Sequence, residues 1–70
     1  MNEYLVIFES APDGGWGAHL PDIDGVVAVG STRAEVEGGI RGALAMYLED
    51  LEQRGEPAPE SRNSAGYVAA

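Results

Sequence analysis

Residues 32–54 read TRAEVEGGIRGALAMYLEDLEQR, and this stretch decides the fold. Its apolar side chains recur at intervals of three and four residues, the spacing that places them on one face of an α-helix. The stripe consists of Val36, Ile40, Ala43, Leu44, Tyr47, Leu48 and Leu51. The spacing therefore predicts one long amphipathic helix whose apolar face packs against the rest of the chain.

Both ends of this helix carry local signals. Thr32 and Glu35 fit a capping box, in which the hydroxyl accepts a hydrogen bond from a free backbone N–H and the carboxylate bonds back to another. Gly55 ends the helix, and Pro57 and Pro59 prevent it from resuming. The glycines on its outer face each cost about 1 kcal/mol relative to alanine, so packing must hold the helix in place.

Three short strands are predicted before the helix. Residues 4–8 are rich in strand-forming side chains and apolar on both faces, which predicts a first strand buried on both sides. The Pro-Asp-Gly turn within residues 11–15 predicts a hairpin. The second strand is predicted at residues 16–20, the next turn at residues 21–25 and the third strand at residues 26–29.

The chain after the helix is less regular. Residues 56–64 are rich in Pro, Glu, Ser and Asn and predict a mobile linker. Residues 67–70 predict a short last strand, which adds to the sheet of this chain or to that of a neighbour. Residues 1–70 are thus predicted to be a single α+β domain of order β-β-β-α-β, with a small antiparallel-rich sheet and one long helix on one face. The uncovered face or an exposed edge should then contact another copy or a partner.

The size and the composition of the chain limit the classes of protein to which it can belong. A chain of 70 residues buries only about 60% of the surface that it exposes when unfolded, so its core is marginal. There is no cysteine to form disulfides, and we therefore expect a homo-oligomer. The sequence shows neither a signal peptide nor an apolar run long enough to span a membrane, which predicts a cytoplasmic protein without membrane contact.

The charge balance is the clearest bulk signal. Twelve acidic residues stand against four arginines, for a formal charge of −8. Phosphate backbones repel such a chain, so we expect no direct nucleic-acid binding. An acidic protein suits a basic partner, although the same charge also serves solubility alone. The acids expected to face a partner are Asp22 and Asp24 in a loop and Glu49, Asp50 and Glu52 at the helix end.

Few residues offer catalytic chemistry. His19 is the single histidine, and Asp22 follows it closely, yet a metal site needs several convergent ligands. Asp22 and Asp24 are also typical turn residues that bond their own backbone. We therefore expect no enzyme activity, no metal and no cofactor. Trp16 follows a glycine turn and is either a core anchor or an interface hot spot, and it joins His19 as a candidate partner-binding residue.

Five segments resemble, in order and spacing, the HicB antitoxins of bacterial and archaeal type II toxin–antitoxin systems. They are residues 4–9, residues 13–18, residues 21–25, residues 28–30 together with Thr32, and residues 40–48. The resemblance implies a partial ribonuclease-H-like fold without catalytic acids, and a protein that binds and masks HicA, a small basic toxin that cleaves mRNA. It also implies dimers or tetramers. Many members add a C-terminal DNA-binding segment, and since these 70 residues hold none, we do not expect operator binding.

Two other hypotheses stand beside the antitoxin. One is a degenerate nuclease or another small hydrolase, against which the single histidine and the absence of a carboxylate cluster on the strands argue. The other is an orphan structural or ligand-binding oligomeric domain that has no toxin partner.

Overall fold

Three antiparallel strands and one long helix make up the fold of residues 3–70, which the computed structural model describes. The strands are β1 (Ile7–Ser10), β2 (Trp16–Leu20) and β3 (Ile23–Gly30), in the sheet order β1-β2-β3, and the helix is α1 (Arg33–Gln53). The predicted domain begins at Met1, and residues 1 and 2 lie outside the described part. The α+β class, the β-β-β-α order and the helix on one face are confirmed.

The hydroxyl cap and the C-terminal end of α1 form as the local sequence predicts, whereas the return bond of the capping box, from the Thr32 backbone N–H to the Glu35 carboxylate, does not form. Thr32 is the N-cap residue, with φ −136° and ψ 158°, and its Oγ1 accepts a hydrogen bond from the Glu35 backbone N–H at 3.1 Å. At the other end Gly55 takes φ +70°, a conformation that side chains with a Cβ rarely adopt. The backbone N–H of Gly55 bonds to Glu52 O and that of Glu56 bonds to Leu51 O, which is a Schellman motif.

The core lies between α1 and one face of the sheet. Val36, which is fully buried, and Ile40 face the sheet from the helix, as the apolar stripe predicts. They pack against four buried strand residues: Ala18, Leu20, Ile23 and Val26. Partly buried side chains, including Phe8, Trp16 and Tyr47, surround this cluster. Among residues 3–70, no helix combines the length and the apolar character needed to cross a membrane.

The bounds predicted for the first strand are wrong. β1 begins at Ile7 rather than at residue 4, because Ser10 pairs with Trp16 and Ile7 pairs with His19, near the end of β2. Pro21 then ends β2, since proline has no N–H to donate to the ladder, and residues 4–6 are left without a partner strand. Burial on both faces is also wrong, because Ile7 remains 37% exposed.

The third strand is longer than predicted. It starts at Ile23 rather than at residue 26, so the turn shrinks to Pro21 and Asp22. The pairing register shifts between His19 and Leu20, and Gly25 lies within the strand at φ +84°. This irregularity lets Ile23, only 3% exposed, enter the core.

The segment after α1, residues 56–70, is called the C-terminal segment below. It contains no helix or strand, so a last strand in this chain's own sheet is wrong. Tyr67 and Val68 are 99% and 96% exposed, so neither side chain packs against the sheet. Pairing with a neighbour's sheet and mobility of residues 56–64 stay predictions.

Candidate protein-interaction surface

The sheet has one face that α1 covers and one that it leaves uncovered. Ala18 belongs to the core, and Phe8 and Ala28 pack against it from the same face of the sheet. Because successive side chains of a strand point to opposite faces, the neighbours of these three residues point away from the helix. The strand register arranges them in two rows across the sheet. We call this surface the open face, and it consists of Ile7, His19 and Val27 in one row and Glu9, Gly17 and Val29 in the other.

The open face is largely apolar. Val27 is 63% exposed and Val29 is 84% exposed, although both lie within a regular strand. Gly17 adds no side chain between Glu9 and Val29, so the middle of the second row is bare backbone. Branched apolar side chains that lie side by side on a sheet and face solvent are typical of a contact surface.

His19 and Glu9 form the polar part of the open face. His19 Nδ1 lies 3.4 Å from Glu9 Oε1, across the diagonal between β1 and β2. Both side chains are well exposed, at 44% and 70%, so the pair adds little to folding stability. Its position makes it available to a partner.

The arginines lie elsewhere on the molecule. Each of the four is ion-paired with an acid on α1 or in the C-terminal segment, and none lies on the open face within residues 3–70. The pairs are Arg33 and Arg41 with Glu37, Arg54 with Asp50 and Glu56, and Arg62 with Glu60. Arg33 also stacks over the Phe8 ring, 4.1 Å from its centroid. The excess negative charge is therefore carried by the remaining acids, which no arginine offsets.

The two predicted contact residues on β2 lie on opposite faces. His19 lies on the open face, whereas Trp16 packs against the core on the covered face, as the core-anchor interpretation predicts. Trp16 also lines a cleft of about 660 Å³ at the end of the sheet. Glu9, Asp13, Gly17 and Val29 line the same cleft, which therefore continues from the open face.

The two predicted loop acids are used differently. Asp22 does not bond its own backbone: its Oδ1 accepts a hydrogen bond from Asn63 Nδ2 at 2.6 Å and its Oδ2 accepts one from Asn63 N at 3.3 Å. It therefore holds the C-terminal segment against the β2–β3 turn. Asp24 is exposed and lies in β3 instead of in a turn, because that strand begins earlier than predicted.

Glu49 and Glu52 are exposed on α1, the layer on the other side of the sheet from the open face. Glu49 accepts a hydrogen bond from Gln53 Nε2 at 3.5 Å, one helical turn away. The six candidate residues are thus divided between two layers of the molecule, and one flat partner surface does not cover His19 and Glu52 together.

Sequence reasoning missed the residues that make the open face apolar. Residues 26–29 are all apolar, and because a strand points alternate side chains to opposite faces, this continuous run was a signal that the third strand carries apolar side chains on both faces. The contact between Glu9 and His19 depends on the pairing register, which no local pattern shows. No group of three or more His, Asp or Glu side chains within residues 3–70 is arranged to hold a metal ion.

A smaller apolar cavity of about 250 Å³ opens between the sheet and α1. Val6, Phe8 and Leu20 line it from the strand layer, Ile40 and Leu44 line it from the helix, and Glu37 and Arg41 complete it. Its lining and its size suit a small apolar group rather than a large ligand.

Comparison with known proteins connects this chain to one family. No family model matches the chain. No solved structure matches it significantly. It is similar to the UPF0150 protein ssl0738 of Synechocystis sp., with 38% identity over 48 residues that cover 69% of this chain and 67% of that relative. This identity and coverage show that the chain belongs to the UPF0150 protein family.

Proposed function

We propose that this protein is a cytoplasmic, HicB-like antitoxin that binds and neutralises a small basic HicA-type toxin by masking its mRNA-cleaving site. The observation that carries the proposal is the charge distribution. The chain has a formal charge of −8, and all of its arginines are already paired with acids of the chain itself. Membership of the UPF0150 family and the resemblance of five segments to HicB support the same function.

The charge of the two proteins explains why they would associate. A toxin that cleaves mRNA must hold phosphates with lysine and arginine side chains, so its active surface is basic. An acidic protein is attracted to that surface, and electrostatic steering raises the rate of encounter. The same charge repels RNA from the antitoxin itself, so the proposed role is to block the toxin and not to compete for its substrate.

The proposal extends to fold and assembly. The three antiparallel strands and the helix on one face match the first four elements of the expected β-β-β-α-β order, and they support a partial ribonuclease-H-like fold as part of the proposal. The protein acts without catalysis, metal or cofactor, and it forms a dimer or tetramer because a domain of this size has a marginal core. An exposed strand edge is the expected contact between copies. Sedimentation that shows a well-folded monomer at micromolar concentration would contradict the assembly.

A reconstituted cleavage assay tests the proposed function. The purified protein is added to a purified small basic toxin of HicA type, and cleavage of an mRNA fragment is followed over time. We expect cleavage to stop when the acidic protein reaches the toxin's concentration, and binding to weaken as salt is raised. If wild-type protein at large excess leaves cleavage unchanged and does not bind the toxin, the antitoxin function is wrong.

A control assay tests the absence of catalysis. The purified protein alone is incubated with RNA and Mg²⁺ or Mn²⁺, and we expect no cleavage. Cleavage that the substitution His19→Ala abolishes would show an enzyme instead.

A ligand-binding domain without a toxin partner is the second candidate. The apolar cavity of about 250 Å³ between the sheet and α1 favours it. The cavity is smaller than the roughly 300 to 1,000 Å³ of most small-molecule sites, which ranks this function second. Binding of small apolar probes that Leu44→Trp blocks, without any binding to the toxin, would favour this function over the first.

A further inference from the structure

We propose that the open face of the sheet is the surface that the basic partner covers. This inference rests on the proposed function and adds the location of the contact. The open face presents Ile7, Val27 and Val29 to solvent and carries Glu9 as its acid. The partner is expected to match it with an apolar centre bordered by lysine or arginine.

The other surfaces of the molecule are less suitable. The opposite face of the sheet is buried under α1. The outer edge of β1 borders a groove whose far wall is the C-terminal segment, from Ser64 to Tyr67. On α1 the acids Glu37 and Asp50 are already paired with arginines, whereas Glu49 and Glu52 are exposed and have no arginine partner. Met46 is the one large apolar side chain that this helix exposes, so α1 offers charge but no apolar centre. The open face combines three exposed apolar side chains with one acid, Glu9, that no arginine offsets.

The shape of the open face also suits a protein partner. The bare backbone at Gly17 lets a partner side chain approach the sheet closely between Glu9 and Val29. From that point the surface continues into the cleft lined by Glu9, Asp13 and Trp16, and no arginine lines this cleft. A lysine or arginine side chain that enters it would meet the carboxylates of Glu9 and Asp13.

Charge decides between a basic partner and a second copy of this chain. Two copies that meet through their open faces would place Glu9 on both sides of the contact, with no arginine on that face to oppose it. A basic partner removes that repulsion and replaces it with attraction. Copies are expected to associate through strand edges, which leaves this face for the partner.

Two substitutions to arginine, one on the open face and one on α1, test where the partner binds. Val29 is 84% exposed on the open face and Met46 is 73% exposed on α1, so an arginine at either position changes the charge equally at little cost to folding. We expect Val29→Arg to weaken binding of the basic toxin about tenfold or more, and Met46→Arg to change it less than about threefold. Circular dichroism and thermal unfolding verify that both variants remain folded.

A third variant tests the chemistry of the occupant. Val29→Glu adds a negative charge at the same position, so with a basic partner it should weaken binding less than Val29→Arg does. Equal binding by the wild type and all three variants would overturn the location and leave the antitoxin function in place. No binding even by the wild type would overturn both.

Sedimentation of the same proteins without toxin tests whether a second copy of this chain covers the open face. If the wild type is an oligomer and both Val29→Arg and Val29→Glu convert it to a monomer, a second copy covers the open face and the inference is wrong. An unchanged oligomeric state in both variants supports a face that is free for the partner.

Discussion

The hydroxyl of Tyr4 donates a hydrogen bond to the carbonyl oxygen of Pro59, 55 residues away in the sequence, at 2.6 Å. This bond joins the residues before β1 to the C-terminal segment after α1. Asn63 makes a second connection through Asp22, so the C-terminal segment is attached at two points although it forms no strand. Substitution at either point should loosen the segment.

Tyr4→Phe is expected to lower the free energy of unfolding by about 1 kcal/mol, the usual net value of one hydrogen bond. It should also speed protease cleavage after Arg62, which lies in the segment that the bond holds. Urea unfolding and limited trypsin digestion measure the two effects. Tyr67→Phe is the matched control, because Tyr67 is 99% exposed, and equal behaviour of the two variants would contradict the role of the Tyr4 bond.

Gly30→Ala is expected to destabilise the fold by about 1 to 3 kcal/mol. A Cβ at Gly30 would lie 3.1 Å from Val36 Cγ2, and Val36 is fully buried and cannot move aside easily. Gly38→Ala is the control on the outer surface of α1, where a Cβ meets nothing within 4 Å, and it should stabilise the helix by about 1 kcal/mol. Thermal unfolding that moves both variants in the same direction would contradict this packing.

Thr32→Ala removes the side chain that caps α1 and should cost about 1 kcal/mol of stability. Thr32→Ser keeps the hydroxyl and should retain most of that stability. Chemical denaturation distinguishes the two, and an equal loss in both variants would show that the methyl group matters rather than the cap.

Ile40→Ala is expected to destabilise the protein by about 2 to 5 kcal/mol, because Ile40 is 3% exposed and packs in the core between α1 and the sheet. Met46→Ala, on the exposed surface of the same helix, should change stability by less than about 0.5 kcal/mol. Similar midpoints in urea for the two variants would mean that the helix does not pack on the sheet as described.

Glu49→Gln combined with Glu52→Gln should slow association with the basic toxin and leave dissociation unchanged. Both residues are exposed on α1, away from the open face, so they act by long-range attraction rather than by contact. Stopped-flow association at low and at roughly physiological salt measures the effect. Association that is equally fast at both salt concentrations would contradict electrostatic steering.

Local sequence was sufficient to predict the helix. The cap at Thr32 and the end at Gly55 depend on residues at most four positions away, and both form as expected. The hairpin turn is equally local: Asp13 Oδ1 accepts a hydrogen bond from Gly15 N at 2.9 Å, and Gly14 takes φ +93°. Patterns of this kind are contained in the sequence and need no tertiary contact.

The strand bounds and the candidate surface required more than local pattern. β1 begins at Ile7 because β2 ends at Leu20, and that limit is set by Pro21, fourteen positions further along the chain. The third strand includes Ile23 because Gly25, with its positive φ, permits an irregularity in the pairing. In the sequence alone, residues 21–25 run from a proline to a glycine and fit a turn equally well. An uncovered face was expected from the single helix, but the exposure of Val27 and Val29 follows only from the packing of α1 on the alternate residues.

Trp16 gives the molecule a built-in spectroscopic reporter. It is the single tryptophan of the chain, its partly buried side chain packs against the core, and the residue also lines the cleft next to the open face. Unfolding would expose the ring to water and shift its emission to longer wavelength, whereas a partner seated over the cleft would remove water and shift it to shorter wavelength. One unlabelled fluorophore therefore separates loss of structure from occupation of the surface by the sign of its spectral change.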